Sequence, residues 1–319
     1  MSGGERLLAI VGPTAVGKTA VGIECALRLN GEIVSADSAA IYRGMDLGTA
    51  KPTAAERAQV PHHLIDLIDP DEEFSVAQYK ARAEAVIDDI LRRGKQPLLV
   101  GGSGLYVRAI IGRWGMTLAP RDNKLRERLQ TEAREKGLAT LHVRLAEIDP
   151  ESAARISTAD EKRIIRALEV HEITGLPLSH FHRLDRARKP SYDSTIIGLT
   201  MARDRLYRRI EERIERMLQA GFLEEVARLR AKGYHTGLTS MKALGYAHLL
   251  AHLEGKYDLQ TALELLKRDS RRFAKRQLTW FRAEEGIRWI DVGDRSPAEV
   301  AAEIIQPQMN ALWDVKGYF

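Results

Sequence analysis

The stretch AIVGPTAVGKTAVG, residues 9–22, decides the fold of this chain. From Gly12 to Thr19 it matches the phosphate-binding loop pattern G-x-x-x-x-G-K-[ST] without a mismatch. The apolar run RLLAIVG at 6–12 precedes the loop, and helical spacing follows it over 17–31. Because this pattern requires a strand before the loop and a helix after it, the stretch predicts the first βα unit of a parallel sheet.

Two further apolar segments indicate how the sheet continues. EIVSAD at 32–37 and QPLLVGG at 96–102 have strand character, and a helix with Ser75 as its N-cap is predicted between them, over 74–95. This order predicts an α/β fold: a P-loop NTPase-like parallel sheet with flanking helices. Ligands bind at the carboxyl ends of such strands. Three segments are therefore expected to meet at one site: 12–19, 35–38 and 101–104.

The character of the sequence changes after the first α/β part. Residues 116–190 contain charged amphipathic helices and no strong strand, which predicts an α-helical insertion domain. Strand character returns at TIIGLTM, 195–201, and long helices follow, including one over 259–282. The predicted organisation is a first core part at 1–115, the insertion at 116–190, and completion of the core with basic helices at 191–319.

Bulk composition narrows the class of protein. The 319 residues carry a formal net charge of +5, which is compatible with an anionic partner. The single cysteine, Cys25, excludes an intramolecular disulfide and a cysteine-based zinc site, and we expect it to be buried on the first helix. No apolar run approaches the roughly 18 residues of a membrane span, and no signal segment opens the chain. We expect a cytoplasmic monomer without a membrane partner.

The loop predicts which chemistry the site supports. Backbone N–H groups, the helix N-terminus and Lys18 favour phosphate oxygens, and the Thr19 hydroxyl suits Mg²⁺. The strand PLLV runs into Gly101-Gly102-Ser103, so the metal-binding acid of a motor ATPase is not at its usual place. Asp37, at the end of the neighbouring strand, is free to accept a proton. Its alternative role is a helix cap or an indirect partner of Mg²⁺.

Two other patterns leave alternatives open. From Lys267 to Arg282 the chain has seven lysine or arginine residues and one acid, with aromatic residues among them. This pattern suits RNA binding, but a solvated basic face over a core-facing aromatic stripe fits equally well. The pair of histidines in HHL, 62–64, lacks companion ligands, so we expect a structural role rather than a metal site.

The segments taken together resemble the bacterial tRNA dimethylallyltransferase family over nearly the whole chain. The resemblance rests on GPTAVGKT at 12–19, SADSAAIYRGMDLGTAKP at 35–52, PHHLIDLIDP at 61–70, LLVGGSGLY at 98–106, DEKRIIRALEV at 160–170, RDRLYRRIEERIERML at 203–218, SMKALGY at 240–246 and AKRQLTWFR at 274–282.

The resemblance implies a reaction. A dimethylallyl group would pass from dimethylallyl diphosphate to N6 of adenosine 37 in the anticodon stem-loop of tRNA, with release of diphosphate. Asp37 would be the general base, and Ser103 would contact the acceptor where the family usually has threonine. Arg203 would be a second cation on the diphosphate, with Arg205 as the alternative. The diphosphate-binding residues would be Gly12, Pro13, Thr14, Ala15, Val16, Gly17, Lys18 and Thr19, with Thr19 also toward Mg²⁺.

The resemblance also implies a tRNA surface, over which the helical insertion would close. Ala39 and Ala40 are smaller than the side chains that relatives often carry there. The implied contacts are Asp37, Ser38, Ala39, Ala40, Ser103, Arg126, Glu161, Lys162, Arg163, Ile164, Ile165, Met241, Lys242, Ala243, Leu244, Gly245, Tyr246, Lys267, Arg271, Arg272, Lys275 and Arg276.

Two other function classes fit parts of the pattern. A small-molecule or nucleotide kinase on the same fold predicts ATP turnover under an arginine-rich lid, for which the insertion offers Arg155, Arg163 and Arg166. A non-enzymatic RNA-binding protein with a nucleotide switch predicts a response to ATP or GTP without a product on RNA. The segment DSAAIYRGMDLGTAKP, at 37–52, argues against a kinase. A nucleotide switch would leave Asp37, beside the phosphate site, without a chemical role.

Overall fold

The structure is a computed structural model that describes residues 6–112, 121–187 and 190–316. The chain divides into two compact units. The first combines Met1–Ile111 with Tyr192–Phe319, and the second is Gly112–Ser191. Within the described ranges, no helix combines the length and apolar character that crossing a bilayer requires.

The first unit contains a parallel β-sheet, as the sequence predicts. Its strand order is β3-β2-β4-β1-β5-β6. The central strand β1 contributes a continuous run of buried residues, which is typical of a sheet covered on both faces. The strands are β1 Arg6–Val11, β2 Gly31–Ser35, β3 His62–His63, β4 Gln96–Gly101, β5 Asp193–Thr200 and β6 Ile287–Asp291.

Helices flank the sheet and form the second unit, and a short 3₁₀ turn lies at Ser240–Lys242. The helices of the described residues are α1 Lys18–Leu29, α2 Ala54–Gln59, α3 Val76–Arg92, α4 Gly104–Ile111, α5 Asn123–Lys136, α6 Leu138–Ile148, α7 Pro150–Ala153, α8 Glu161–Thr174, α9 Leu178–Ala187, α10 Arg203–Gln219, α11 Phe222–Ala231, α12 Tyr246–Leu253, α13 Leu259–Arg282 and α14 Pro297–Lys316.

Local sequence explains where several helices begin and end. The hydroxyl of Ser75 accepts from the N–H of Gln78, whose side chain accepts from the N–H of Ser75, so the predicted N-cap of α3 is confirmed. Helix α1 ends at Asn30, a left-handed residue with φ of 49°. Helix α13 covers the predicted 259–282, because buried residues recur every three or four positions along it. Cys25 is buried on α1, as expected.

The histidine pair forms a short strand that the sequence pattern did not predict. His62 and His63 pair with Ile33 and Val34 of β2. His63 Nε2 lies 2.8 Å from Glu32 Oε2. Two residues are too few to show an alternating pattern, so the strand exists only because β2 lies beside it. The expected structural role of the pair is confirmed.

In its described residues, 112, 121–187 and 190–191, the second unit consists of helices joined by short turns and loops and has no strand. Its core contains Leu129, Leu141, Leu145, Ile164, Ile165 and Leu168. Glu169, fully buried in α8, accepts hydrogen bonds from Arg126, Arg166 and the N–H of Asp122. These bonds hold the pKa of Glu169 below its usual value, although burial acts in the opposite direction. A charged network therefore joins α5 to α8.

Candidate active site

A cleft of about 670 Å³ opens at the carboxyl ends of β1, β2 and β4. All its lining residues belong to the unit that contains the sheet. They include Thr14, Ala15, Gly17, Lys18 and Thr19 of the first loop, Asp37 to Ala40 of the second, and Gly101 to Ser103 of the third. Val16 of the first loop is buried in the core instead. The three segments that the strand pattern brings together therefore meet, as expected for an open parallel sheet.

The phosphate loop lies tightly against the neighbouring strands. Gly12 has φ of 146°, and a Cβ there would lie 2.6 Å from the carbonyl oxygen of Leu199 on β5. At the end of β4, a Cβ on Gly101 would lie 2.1 Å from the carbonyl oxygen of Ala36. Both positions require glycine because backbone occupies the space of a side chain. The loops can approach one another, and a ligand, only with these residues.

Lys18 folds back over the loop. Its Nζ donates to the carbonyl oxygen of Pro13 at 2.7 Å. Loss of solvation lowers the pKa of Lys18 to about 8, with Arg213 acting in the same direction and Asp37 in the opposite one. The ammonium group is therefore held inside the loop, and its lowered pKa means that it loses its proton at a pH only slightly above neutral.

Helix α10 supplies further cations to the loop. Arg213 Nη1 donates to Thr14 Oγ1 at 3.3 Å, and burial lowers the pKa of Arg213 while Asp37 raises it. A Cβ on Gly17 would lie 3.7 Å from Nη2 of Arg209, so a second guanidinium lies over the loop. Arg209 and Arg213 share one face because they are four residues apart. Sequence reasoning missed both, although each lies within the quoted 203–218 segment.

The structure does not bring Arg203 to the cleft. Its Nε donates to the Tyr207 hydroxyl at 3.1 Å, and its guanidinium lies 5.2 Å from that ring's centroid. Ten residues separate Arg203 from Arg213, about 15 Å along a helix. The alternative, Arg205, pairs with Asp294. The arginines of α10 that lie at the loop are thus Arg209 and Arg213, further along the same helix, because that part of α10 passes over the loop.

The two carboxylate oxygens of Asp37 differ in their hydrogen bonding. Its Oδ1 accepts from the N–H groups of Ala39 at 2.8 Å and Ala40 at 3.3 Å. Within the described residues, no hydrogen bond involves its Oδ2. The Ser103 hydroxyl accepts from the N–H of Ser38 at 2.9 Å and lies 3.1 Å from the Ser38 hydroxyl. One carboxylate oxygen therefore caps a turn, and the other is available to a ligand.

Gln277 of α13 joins two of the three loops. Its Oε1 accepts from the N–H of Thr14 at 2.8 Å, and its Nε2 donates to the carbonyl oxygen of Gly102 at 2.9 Å. Sequence reasoning did not select Gln277. The signal in the sequence was its spacing, which places this polar side chain on the buried face of α13, where it needs hydrogen-bond partners.

Positive charge dominates the cleft. Lys51 also lines it, but its ammonium group is bonded internally. The acids of the lining are Asp37 and Glu56. Such an excess suits a polyanion. The remaining cations of the lining are Lys18, Arg209, Arg213, Arg216, Lys242 and Arg276.

The residues present fit a Mg²⁺ ion carried with a diphosphate rather than a closed protein cage. Within the ranges that the structure describes, no group of three or more His, Cys, Asp or Glu side chains is placed to hold a metal. Thr19 and Asp37 line the cleft and offer a hydroxyl and a carboxylate oxygen. Mg²⁺ commonly uses one or two such ligands and completes its shell with substrate phosphates and water.

The implied tRNA contacts in the sheet unit fall into four groups. Lys242, Ala243, Leu244, Gly245 and Arg276 line the cleft, and Arg272 and Lys275 are exposed. Lys267 and Arg271 pair with Glu215 and Glu211 of α10. The side chains of Met241 and Tyr246 are fully buried, so they support the loop instead of facing a partner.

The implied contacts in the helical unit divide in the same way. Glu161, Lys162 and Arg163 are exposed in the first turn of α8. Ile164 and Ile165, in contrast, belong to the unit's core. Arg126 is engaged by the buried Glu169. Because the resemblance was carried over as a continuous segment, it included positions whose helical spacing assigns them to the core.

Comparisons with known proteins agree with this geometry. The family model described as IPP transferase matches residues 40–284, more than half of the chain. The tRNA dimethylallyltransferases of Pelotomaculum thermopropionicum and Desulforudis audaxviator are 49% and 52% identical, each over 94% of this chain and 95% and 96% of the relative.

Solved structures give the same result. The tRNA isopentenylpyrophosphate transferase of Bacillus halodurans is 43% identical, with a TM-score of 0.72 and 97% of each chain covered. A eukaryotic dimethylallyltransferase acting on tRNA is 26% identical, with a TM-score of 0.82 over 96% of this chain and 79% of that one. With this extent of similarity in sequence and fold, the chain belongs to the IPP transferase family.

Proposed function

We propose that this protein is a tRNA dimethylallyltransferase, which moves a dimethylallyl group from dimethylallyl diphosphate to N6 of adenosine 37 in tRNA. One observation carries the proposal: a cationic phosphate loop lies beside Asp37, whose Oδ2 is free of hydrogen bonds from the described residues. The relatives that share about half of its sequence bear that activity in their names. Nothing in these comparisons supports a kinase.

The phosphate loop binds the donor's diphosphate. The backbone N–H groups from Ala15 to Thr19, including those at the N-terminus of α1, donate to its oxygens. Lys18, Arg209 and Arg213 surround the same loop and neutralise its charge. Gln277 fixes the N–H of Thr14 in place. This arrangement favours charge on a departing diphosphate, since the donors are already oriented before the reaction.

The transfer exchanges one bond for another. The C–O bond between the dimethylallyl carbon and the diphosphate breaks, and its electrons leave with the diphosphate. The exocyclic N6 of the adenosine forms the new C–N bond, and its proton passes to Oδ2 of Asp37. Thr19 would hold Mg²⁺ together with the diphosphate, and the ion would supply additional positive charge at the leaving group.

The acceptor adenosine leaves its stack to reach the cleft. Ser103 and Ser38, which contact each other, offer hydroxyl groups beside Asp37. Ala39 and Ala40 line the cleft next to them and leave space for the base. The loop from Lys242 to Gly245 forms another part of the wall.

The rest of the anticodon stem-loop binds outside the cleft. Exposed cations on α13 suit its phosphates: Arg272 and Lys275, and also Arg276, which lines the cleft as well. In the helical unit, the exposed cations Lys162 and Arg163 take the corresponding role, and the exposed acid Glu161 lies beside them. The enzyme acts as a monomer in the cytoplasm, where its tRNA acceptors are located.

A single incubation tests the function. Purified protein is mixed with unmodified tRNA and Mg²⁺, and with either dimethylallyl diphosphate or ATP, and the nucleosides are analysed by mass spectrometry. The expected result is an adenosine heavier by one dimethylallyl group, only with the prenyl diphosphate. Consumption of ATP without a modified adenosine would overturn the proposal in favour of a kinase.

A further inference from the structure

Lys51 forms part of the wall of the cleft, but its ammonium group is enclosed by protein. Its side chain is only 1% exposed. Nζ donates to the carbonyl oxygen of Tyr42 at 2.6 Å, to Asp46 Oδ1 at 2.7 Å and to Asp66 Oδ1 at 2.6 Å. An ammonium group has three donors, so these acceptors use all of them. Lys51 therefore holds protein segments together and is not a ligand for phosphate.

One arm of this clamp leads to Asp37. Asp66 accepts from Lys51 through Oδ1, and its backbone N–H donates to the carbonyl oxygen of Ala40 at 3.1 Å. The N–H of Ala40 in turn donates to Oδ1 of Asp37 at 3.3 Å. Three consecutive hydrogen bonds thus connect the buried ammonium to the carboxylate that faces the cleft.

Asp66 needs support in this position. Its φ of 55° lies in the left-handed region, which is uncommon for residues other than glycine. Lys51 and Arg57 each bond one of its carboxylate oxygens, Arg57 at 3.0 Å. The bonds to the Asp66 side chain therefore fix the position of the Asp66 backbone N–H, which donates to the carbonyl oxygen of Ala40.

The other carboxylate arm leads elsewhere. The Asp46 side chain is 53% exposed, and the N–H of Asp46 donates to Glu225 Oε2 at 3.2 Å. Glu225 also accepts from Leu47 N–H and from the Tyr246 hydroxyl. This branch braces α11 and α12 and has no hydrogen bond to the Asp37 turn among the described residues. The two arms thus provide a matched comparison.

We propose that Lys51 is a positioning residue for the transfer reaction: through Asp66 and Ala40 it holds the turn that aims the Asp37 carboxylate. This inference rests on the proposed function for its catalytic consequence. A proton acceptor must lie within hydrogen-bond reach of the amine, and misplacement by about 1 Å costs on the order of 100-fold in rate.

Three variants separate the arms. Lys51→Met removes all three bonds with a side chain of similar length. Asp66→Gly removes the carboxylate that Lys51 and Arg57 bond, keeps the backbone N–H that donates to Ala40, and accepts the left-handed conformation without strain. Asp46→Ala removes the other arm and is the control. The readouts are the single-turnover rate at saturating donor and tRNA, the Kd of inorganic pyrophosphate, and amide hydrogen exchange of the peptide over 37–42.

Lys51→Met and Asp66→Gly are expected to slow single-turnover transfer about 10- to 100-fold. The Kd of pyrophosphate should stay unchanged, and exchange over 37–42 should accelerate. Asp46→Ala should keep both the rate and the exchange of the parent protein. Equal slowing by Asp46→Ala, or unaltered exchange over 37–42 in Lys51→Met, would overturn the inference. Because exchange requires no transfer chemistry, faster exchange in a protein that transfers no prenyl group would reject the proposed function alone.

Discussion

The side-chain oxygen of Gln277 accepts a hydrogen bond from the backbone N–H of Thr14 across 263 positions of sequence. The other end of the same amide donates to the carbonyl oxygen of Gly102. One buried side chain on the basic helix thus sets the separation of the phosphate loop and the loop after β4. The helix that would bind RNA outside the cleft also shapes the cleft itself.

Replacing Gln277 should weaken donor binding. Gln277→Leu keeps the approximate volume but leaves the N–H of Thr14 and the carbonyl of Gly102 without partners. Each unsatisfied group costs about 1–3 kcal/mol, so the protein should also melt at a lower temperature. Calorimetric titration with inorganic pyrophosphate measures the affinity. Thr279→Ala, which removes an exposed hydroxyl from the same helix, should leave it unchanged; an equal loss there would assign the effect to the helix as a whole.

Asp37→Asn separates the two roles of this residue. The amide oxygen can still accept from the N–H groups of Ala39 and Ala40, so the turn should survive, while the proton acceptor is lost. The single-turnover transfer rate is expected to fall by about 10²- to 10⁴-fold, with unchanged melting temperature and tRNA affinity. A variant that keeps most of its rate would show that Asp37 serves only as a cap.

Two arginines on one helix form a matched pair. Arg213→Met removes the guanidinium that bonds Thr14, and the affinity for pyrophosphate should fall by at least tenfold, since a charge-assisted hydrogen bond contributes about 1.5–3 kcal/mol. Arg203→Met changes the net charge equally, and the hydrogen bond and ring contact that Arg203 makes in the described part of the chain are with Tyr207 on the same helix. Isothermal titration of both variants decides the assignment, and equal losses would contradict it.

The donor affinity should depend on pH through Lys18. Its pKa of about 8 in the free protein lies below the ordinary value of 10.5, so the ammonium loses its proton as pH rises through about 8. Binding of a polyanion favours the charged form, and pyrophosphate should therefore bind more weakly at pH 9 than at pH 7, with proton uptake near pH 8. Titrations in buffers of different ionisation enthalpy measure that uptake. Lys18→Arg, always protonated, should abolish it; uptake that persists would belong to another group.

The exposed end of α13 should govern the salt dependence of tRNA binding. Lys275→Ala combined with Arg276→Ala removes two exposed cations, and the slope of log affinity against log salt should become shallower by about one to two. Lys267→Ala combined with Arg271→Ala removes cations already paired with Glu215 and Glu211. Filter binding at several salt concentrations should show a smaller change for the second pair. The opposite order would place the RNA along the α10 side of the helix.

The phosphate loop and the helices could be predicted because their signals are local. The glycine spacing from Gly12 to Gly17 dictates a turn between a strand and a helix, and the period of buried residues along 259–282 dictates one helix. The strand pattern selected Asp37 and the resemblance added Ser103, and the structure places both in one cleft. It also included Ile164 and Met241, whose side chains are buried. A motif copied as a segment does not separate the residues that face a partner from those that support them.

What the sequence by itself determined is the order of the main strands and helices, apart from β3, and the cradle at Gly12–Thr19, because backbone conformation there depends mainly on neighbouring residues. The tertiary structure decided that Arg213 rather than Arg203 reaches the loop, that Gln277 joins two loops, and that the Lys51 ammonium donates all its hydrogen bonds within the protein. Each of these depends on which face of an element packs against a segment distant in sequence. Hydrogen bonds across such separations form only after the sheet has brought the loops together.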